Sequence, residues 1–176
     1  MAPASGHCYA LALGSNRPTI GGEDPRALLE RAFVALEAAP FRVISRSAII
    51  ATAPLGPSHR CYANAAALVE TALSPPEMLV CLKQIERAFG RRRGRRWGPR
   101  PLDLDVILWS GGAWADADLV VPHPHFRERE FVLGPLAQVA PGWRDPLTGL
   151  AVRHLLARLK KRRPDPKPVD HTAPAL

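Results

Sequence analysis

Arg91 to Leu108, RRRGRRWGPRPLDLDVIL, places two sets of reactive side chains next to each other in the chain. Arg91, Arg92, Arg93, Arg95, Arg96 and Arg100 crowd ten residues with no acid among them. Asp103 and Asp105 follow, set among Leu102, Leu104, Val106, Ile107 and Leu108. The apolar half has the composition of a strand, bounded by Pro101 and by Gly111-Gly112. In a strand, residues two apart face the same side, so the two carboxylates project together, with Cα atoms roughly 6.5–7 Å apart. Leu104 and Val106 turn to the core. Paired carboxylates suit hard divalent cations: Mg²⁺ takes one or two of them, keeps several waters, and binds substrate phosphates. Two such ions can clamp an in-line displacement at phosphorus.

The arginines supply the other half of that chemistry. Guanidinium groups pair bidentately with phosphate oxygens. Gly90, Gly94 and Gly98 interrupt the basic run, which predicts a mobile loop rather than a helix. Trp97 gives that loop an apolar anchor. An Asp-x-Asp alone is usually a solvated strand end, and an arginine run alone is usually a solvated or nucleic-acid-binding face. In this order and spacing, they are what metal-assisted phosphoryl chemistry needs.

The 176 residues are enough for one domain with a sizeable core, and 47% hydrophobic with 23% charged residues is ordinary for a globular protein. The net charge of +8 favours an anionic partner. Three cysteines, Cys8, Cys61 and Cys81, form no CxxC pair, and their odd number argues against a disulfide framework. No apolar run approaches a membrane span and no signal peptide is evident, so a cytoplasmic protein without membrane association is expected.

The elements that must position these residues follow in order. Residues 7–13 read as a strand, ended by Gly14-Ser15-Asn16. Asp24 as N-cap and Pro25 as first helical residue open a helix over 25–39, with Leu28, Leu29, Ala32, Phe33 and Leu36 on one face. Residues 41–53 read as a second strand and 62–73 as a third, though its alanines leave it ambiguous with helix. Ser74 caps a helix that Gly90 ends, with Met78, Leu79, Leu82, Ile85 and Phe89 on one face. The Asp strand closes the set. Strand, helix, strand, strand, helix, strand is an α+β, ferredoxin-like βαββαβ core, an antiparallel sheet with helices on one face. A C-terminal extension follows: a short strand over 118–121, a loop at Val121-Pro122-His123-Pro124-His125, a helix over 126–138 and another over 150–162. Residues 1–162 are expected to form one domain, and 163–176, rich in proline, a disordered tail.

Arg96-Trp97-Gly98-Pro99-Arg100-Pro101-Leu102-Asp103-Leu104-Asp105 closely resembles the hallmark of the 6-hydroxymethyl-7,8-dihydropterin pyrophosphokinases of folate biosynthesis. Ala12-Leu13-Gly14-Ser15-Asn16, Thr52-Ala53-Pro54-Leu55-Gly56-Pro57 with Tyr62-Ala63-Asn64-Ala65-Ala66, and Val121-Pro122-His123 with Arg129 and Phe131 are similar to three further family segments. The resemblance runs from about residue 9 to 145. It implies a ferredoxin-like fold and pyrophosphoryl transfer from ATP to the pterin hydroxymethyl oxygen, releasing AMP. It implies that Asp103 and Asp105 hold two Mg²⁺ ions, and that Arg91, Arg93 and Arg100 act at the phosphates, Arg91 and Arg100 as catalytic residues with the two aspartates. Trp97 would help seal the site, and Glu86, His123 and Arg129 would contact the nucleotide. Tyr62 and Phe131 would sandwich the pterin, Asn64 would bond its polar edge, and Thr52 and Leu55 would offer backbone contacts. Val120, Asp118, Lys83 and Ala53 depart from residues common in the family.

Stacking between rings suits a flat heteroaromatic substrate, and an amide suits its donor-acceptor edge. Simple core packing is the alternative for both aromatics. His123 with His125 makes a poor zinc site, having no suitably spaced thiol. An RNA-binding sheet would need aromatics in a pattern absent here. A metal-dependent nuclease would use the aspartates but not Tyr62, Asn64 and Phe131. No P-loop pattern occurs. The partners expected are therefore ATP and a reduced pterin, not nucleic acid, bound to a monomer.

Overall fold

The computed structural model describes residues 6–15, 24–38, 40–52, 62–90 and 101–162. Strand β1 (His7–Ser15) leads to α1 (Pro25–Glu37), β2 (Arg42–Arg46), β3 (Ile50–Thr52), β4 (Tyr62–Thr71), α2 (Pro75–Ala88) and β5 (Asp103–Trp109). The extension adds β6 (Trp114–Ala115), β7 (Val120–Val121), a 3₁₀ turn (Phe126–Glu128), α3 (Glu130–Val139) and α4 (Val152–Arg162). The main sheet is antiparallel in the order β2-β4-β1-β5, with β3 also on β4. This is the expected βαββαβ core.

Alternation along each strand divides its side chains between two cores. Tyr9, Leu11 and Leu13 of β1, Ala63, Ala65, Ala67 and Val69 of β4, and Leu104 and Val106 of β5 meet the apolar stripes of α1 and α2. Those stripes are Leu28, Leu29, Ala32, Phe33 and Leu36 on α1, and Met78 and Leu82 on α2. The opposite face carries Ala10, Ala66, Ile107 and Leu108, which pack against Val132, Leu133 and Leu136 of α3 and Val152 and Leu155 of α4. The two core helices do share one face; the extension then covers the other.

The alanines of β4 take their conformation from this position. A central strand with a layer on each side leaves little room for larger groups, and pairing with β1, β2 and β3 outweighs their helical preference. A bulge between Ala10 and Leu11 sets two residues of β5 against one step of β1. That is why Ile107 and Leu108, adjacent in sequence, both enter the second core.

Several expected boundaries shift. The strand read over 41–53 is two strands, because Ser47 interrupts the ladder. Its N–H donates to the Ala66 carbonyl while its Oγ accepts the Ala66 N–H at 2.8 Å, and Gln138 of α3 accepts the Ala48 N–H. The helix read over 126–138 breaks at Arg129, whose extended backbone (φ −110°, ψ 102°) turns the chain between the 3₁₀ turn and α3. The strand read over 118–121 is reduced to Val120–Val121, paired with a β6 that the sequence did not announce. The first helix stops at Glu37, and Asp24 caps it only through its carbonyl, which accepts the Leu28 N–H. The last helix starts at Val152. At α2 the expected cap is present, with the Glu77 carboxylate accepting both the N–H and the hydroxyl of Ser74. The expected tail, 163–176, lies outside the described residues.

Candidate active site

Among the described residues, α3 and α4 cover one end of the second face of the sheet. At the other end, register brings the reactive residues into rows. Asn64 of β4 pairs with Gly14 of β1, which pairs with Asp103 of β5. One step along, Ala66 pairs with Ala12, which pairs with Asp105. Residues paired in this way project to the same face. The result is a shallow floor of Gly14 and Ala12, closed at one end by the buried Ala66, with an amide on one side and two carboxylates on the other. Tyr62, two residues before Asn64, shares its face. Thr52 and Ile50 of β3 lie opposite Tyr62 and Asn64 along the outer edge of β4.

Asp103 and Asp105 are half-buried rather than exposed. Burial first, then the neighbouring charges of Asp103 and Glu86, push the Asp105 carboxyl up to about 6 against the opposite pull of Lys83 and Arg129. Two carboxylates forced together in a low-dielectric corner are a site that a cation would relieve. The donor set fits Mg²⁺ in particular. Among the described residues no group of three or more His, Cys, Asp or Glu is gathered into a cage for a metal. Two carboxylates with room for water and phosphate oxygens are the arrangement Mg²⁺ takes.

The edge of β5 away from β1 is held by α2 and by the loop after β7. The Glu86 carboxylate, 1% exposed, accepts the Leu104 N–H through Oε1 at 2.9 Å, and Lys83 donates to the same oxygen at 2.8 Å. Farther along, the His123 N–H donates to the Ile107 carbonyl. This anchors the His123 ring beside the aspartates. Its Nδ1 accepts the His125 N–H at 3.3 Å, which leaves the ring proton on Nε2. Burial, then the positive charge of Arg129 and the neighbouring His125, hold His123 below its ordinary value against the pull of Asp103. The ring is therefore a neutral donor at pH 7.

Arg129 and Phe131 stand at the start of α3, the guanidinium 5.9 Å from the ring centroid. Phe131 packs half-buried against the second core, on the same side of the sheet as Tyr62 and Asn64. The turn that presents them is tied down from behind. Arg127 donates to both oxygens of the buried Asp145, at 2.8 and 2.6 Å, and Thr148 donates to the same carboxylate at 2.5 Å. Burial alone would raise Asp145; these bonds together outweigh it and hold the carboxyl low.

Asp103, Asp105, Asn64, Tyr62, His123, Arg129 and Phe131 thus lie on one side of one sheet, and Glu86 supports them from its edge. Arg91, Arg93, Trp97, Arg100 and Leu55 lie outside the described residues. Sequence reasoning passed over the floor itself. Gly14, Ala12 and Ala66 carry no reactive group, and only strand register reveals that they separate those that do. It noticed Lys83 as a departure without seeing its bond. Asp118 and Val120 are exposed, Val120 in the small hairpin with β6.

A family model, 7,8-dihydro-6-hydroxymethylpterin-pyrophosphokinase, matches residues 10–141. Among curated relatives, the 2-amino-4-hydroxy-6-hydroxymethyldihydropteridine pyrophosphokinase of Methylorubrum extorquens is 44% identical over 151 residues, covering 85% of this chain and 91% of that protein. The protein of the same name from Synechocystis is 36% identical over 157 residues, covering 89% and 78%. Among solved structures, Plasmodium falciparum HPPK-DHPS with pteroate superposes with a TM-score of 0.69 at 14% identity. That match covers 90% of this chain but 43% of the longer one, and it speaks for the fold. With a family model running from β1 to the end of α3 and relatives matched over most of their length, the chain belongs to the 7,8-dihydro-6-hydroxymethylpterin-pyrophosphokinase family.

Proposed function

We propose that this site transfers a pyrophosphoryl group from ATP to the hydroxymethyl oxygen of 6-hydroxymethyl-7,8-dihydropterin, a step in folate synthesis. The observation that carries the reading is the row Asn64–Gly14–Asp103, which sets a ring-recognising amide and a cation-binding carboxylate on either side of a bare glycine. A flat bicycle lying on that floor presents its polar edge to Asn64 and its hydroxymethyl arm toward the aspartates. Tyr62 and Phe131 offer it aromatic faces. The hydroxyl oxygen bonds to the β-phosphorus as the bond from that phosphorus to the oxygen bridging it to the α-phosphate breaks. AMP leaves, and the hydroxyl proton passes to solvent.

Asp103 and Asp105 are the residues that would hold Mg²⁺, and we assign them two ions. Bound there, Mg²⁺ would neutralise charge on the phosphates. The chain's own groups do the remaining positioning. Neutral His123 donates from Nε2 and Arg129 pairs with phosphate oxygens, while Glu86 braces the nucleotide end from α2. Arg91, Arg93 and Arg100, with Trp97, complete the phosphate end, and the backbone of Thr52 and Leu55 borders the pterin. No helix among the described residues is long and apolar enough to cross a membrane. Among the described residues the large exposed apolar side chains Val34, Ile44, Val80, Val120 and Leu147 stand on separate elements, which supports a monomer; a cytoplasmic location belongs to the same proposal.

The test is direct. The chain is incubated with ATP, Mg²⁺ and the reduced pterin, and the nucleotides are separated. AMP and pyrophosphorylated pterin in equal amounts are expected; ADP as the product overturns the reading.

A further inference from the structure

Lys83 lies one turn before Glu86 on α2, and its ammonium reaches the Glu86 Oε1 at 2.8 Å. The Lys83 side chain is 25% exposed and that of Glu86 is fully buried. The same Oε1 accepts the N–H of Leu104 at 2.9 Å. Leu104 is the residue between Asp103 and Asp105, and β5 is the last strand of its sheet. Among the described residues no strand neighbours its outer edge. A hydrogen bond on that edge between the two aspartates comes from α2, through one carboxylate oxygen that Lys83 also holds.

Charge makes the second half of the argument. Glu86, Asp103 and Asp105 place three carboxylates around the end of β5, and Asp105 feels Asp103 and Glu86 as repulsion. Among the described residues Lys83 and Arg129 oppose this, one from α2 and one from the N-cap of α3. Taking a cation away from contact with a buried carboxylate is costly. Without the Lys83 ammonium, the Glu86 Oε1 loses one of the donors that fix it, and its hold on the Leu104 N–H weakens.

We infer that Lys83 is a positioning residue for the reaction: by holding the Glu86 carboxylate on the Leu104 N–H, it fixes the strand end that presents Asp103 and Asp105. The inference rests on the proposed function for its catalytic consequence, but not for the geometry. A helical lysine thereby acts on the spacing and direction of two carboxylates through the backbone between them. Because the link runs through a single oxygen, a neutral side chain of similar reach should preserve it in part, and arginine should restore it.

The experiment compares Lys83→Met, Lys83→Gln and Lys83→Arg with the parent chain, first without metal or substrate. Amide hydrogen exchange is read at Leu104 and, as control, at Leu11 and Val69 in the buried strands. Lys83→Met should speed exchange at Leu104 at least tenfold and leave the controls within twofold; Lys83→Gln should fall between, and Lys83→Arg near the parent. With substrates, Lys83→Met should lower kcat and raise the Mg²⁺ concentration for half-maximal rate about tenfold each, with KM for the pterin within twofold. Should Lys83→Met loosen the whole fold, which its controls would show, Lys83→Gln decides. Unchanged exchange at Leu104 in Lys83→Gln and Lys83→Met overturns the inference, as does a pterin KM that rises while the Mg²⁺ dependence stays put. If the parent chain forms no AMP, the proposed function falls, and the exchange data still judge the role of Lys83.

Discussion

The two ends of one sheet face obey opposite rules. Under α3 and α4, Ala10, Ala66, Ile107 and Leu108 meet Leu133, Leu136 and Val152, all essentially excluded from solvent. A few residues along the same strands, Asn64, Gly14, Asp103 and Asp105 lie outside that core. The first end gains stability by burying apolar area. The second concentrates like charge in a half-buried corner, which costs stability and creates affinity for cations. Ala12 and Ala66 mark the border. The difference teaches that, among the described residues, the site is the part of a sheet face that lies outside the core under its covering helices.

Changes at the two ends should therefore separate activity from folding. The largest effect is expected for Asp105→Ala, which should lower kcat about a thousandfold, or about 4 kcal/mol in barrier. The same variant should not be less stable without metal. The folded-state value of Asp105, about 6, lies above its ordinary 3.8. The folded chain therefore holds a proton that the unfolded chain has released between about pH 4 and 6. That contribution is full below pH 4 and is lost as pH rises through 6. Melting of metal-free protein across pH 4 to 7 should show the parent losing ground to Asp105→Ala; a variant that melts lower at pH 7 would contradict the like-charge account.

Leu133→Ala, at the covered end, should do the reverse. Leu133 is fully buried, and such truncations cost about 2–5 kcal/mol. Urea unfolding should report that loss, while kcat per folded molecule stays within a few-fold. At the border of the two ends, Phe131→Ala should weaken pterin binding by about 1–3 kcal/mol, on the scale of base–aromatic stacking, and leave ATP binding nearly unchanged. Titration calorimetry with each ligand checks this; equal losses for both would return Phe131 to simple core packing.

The smallest expected effect is Gly14→Ala. Gly14 does not have a positive φ, and the nearest atom to an added methyl, the Asn64 Oδ1, is 3.6 Å away. Stability should change by less than about 1 kcal/mol. The methyl stands on the floor between Asn64 and Asp103, so pterin affinity should still drop several-fold. Unchanged affinity would mean that the substrate does not lie across that row.

Much of this was legible in the chain because it is written locally. The Asp strand, the stripes of α1 and α2 and the Ser74 cap all rest on residues within a few positions of one another. The alanines of β4 were ambiguous because their conformation is imposed by neighbours on both sides. The break at Ser47 depends on Ala66 and Gln138, distant in sequence, and no period reports it. The aspartates were readable as a pair, but their burial was not, nor was the side of the sheet that α3 and α4 would cover. The floor was least legible of all, since a glycine and two alanines become a site only through register.

The bond between Glu86 and Leu104 also has a topological consequence. It joins residues that lie on either side of the arginine-rich stretch in sequence, Glu86 before it and Leu104 after it. Between the described Gly90 and Pro101 the sequence runs through Arg91 to Arg100, none of them more than five positions from one of the two, a contour of at most about 18 Å. A tether of that length corresponds to an effective concentration on the order of tens of millimolar. Six arginines joined covalently to the strand of the two aspartates are a reservoir of positive charge on the same chain. A polyphosphate arriving at the carboxylates therefore has its counter-ions already tethered, with part of the entropy of gathering them settled by the chain itself.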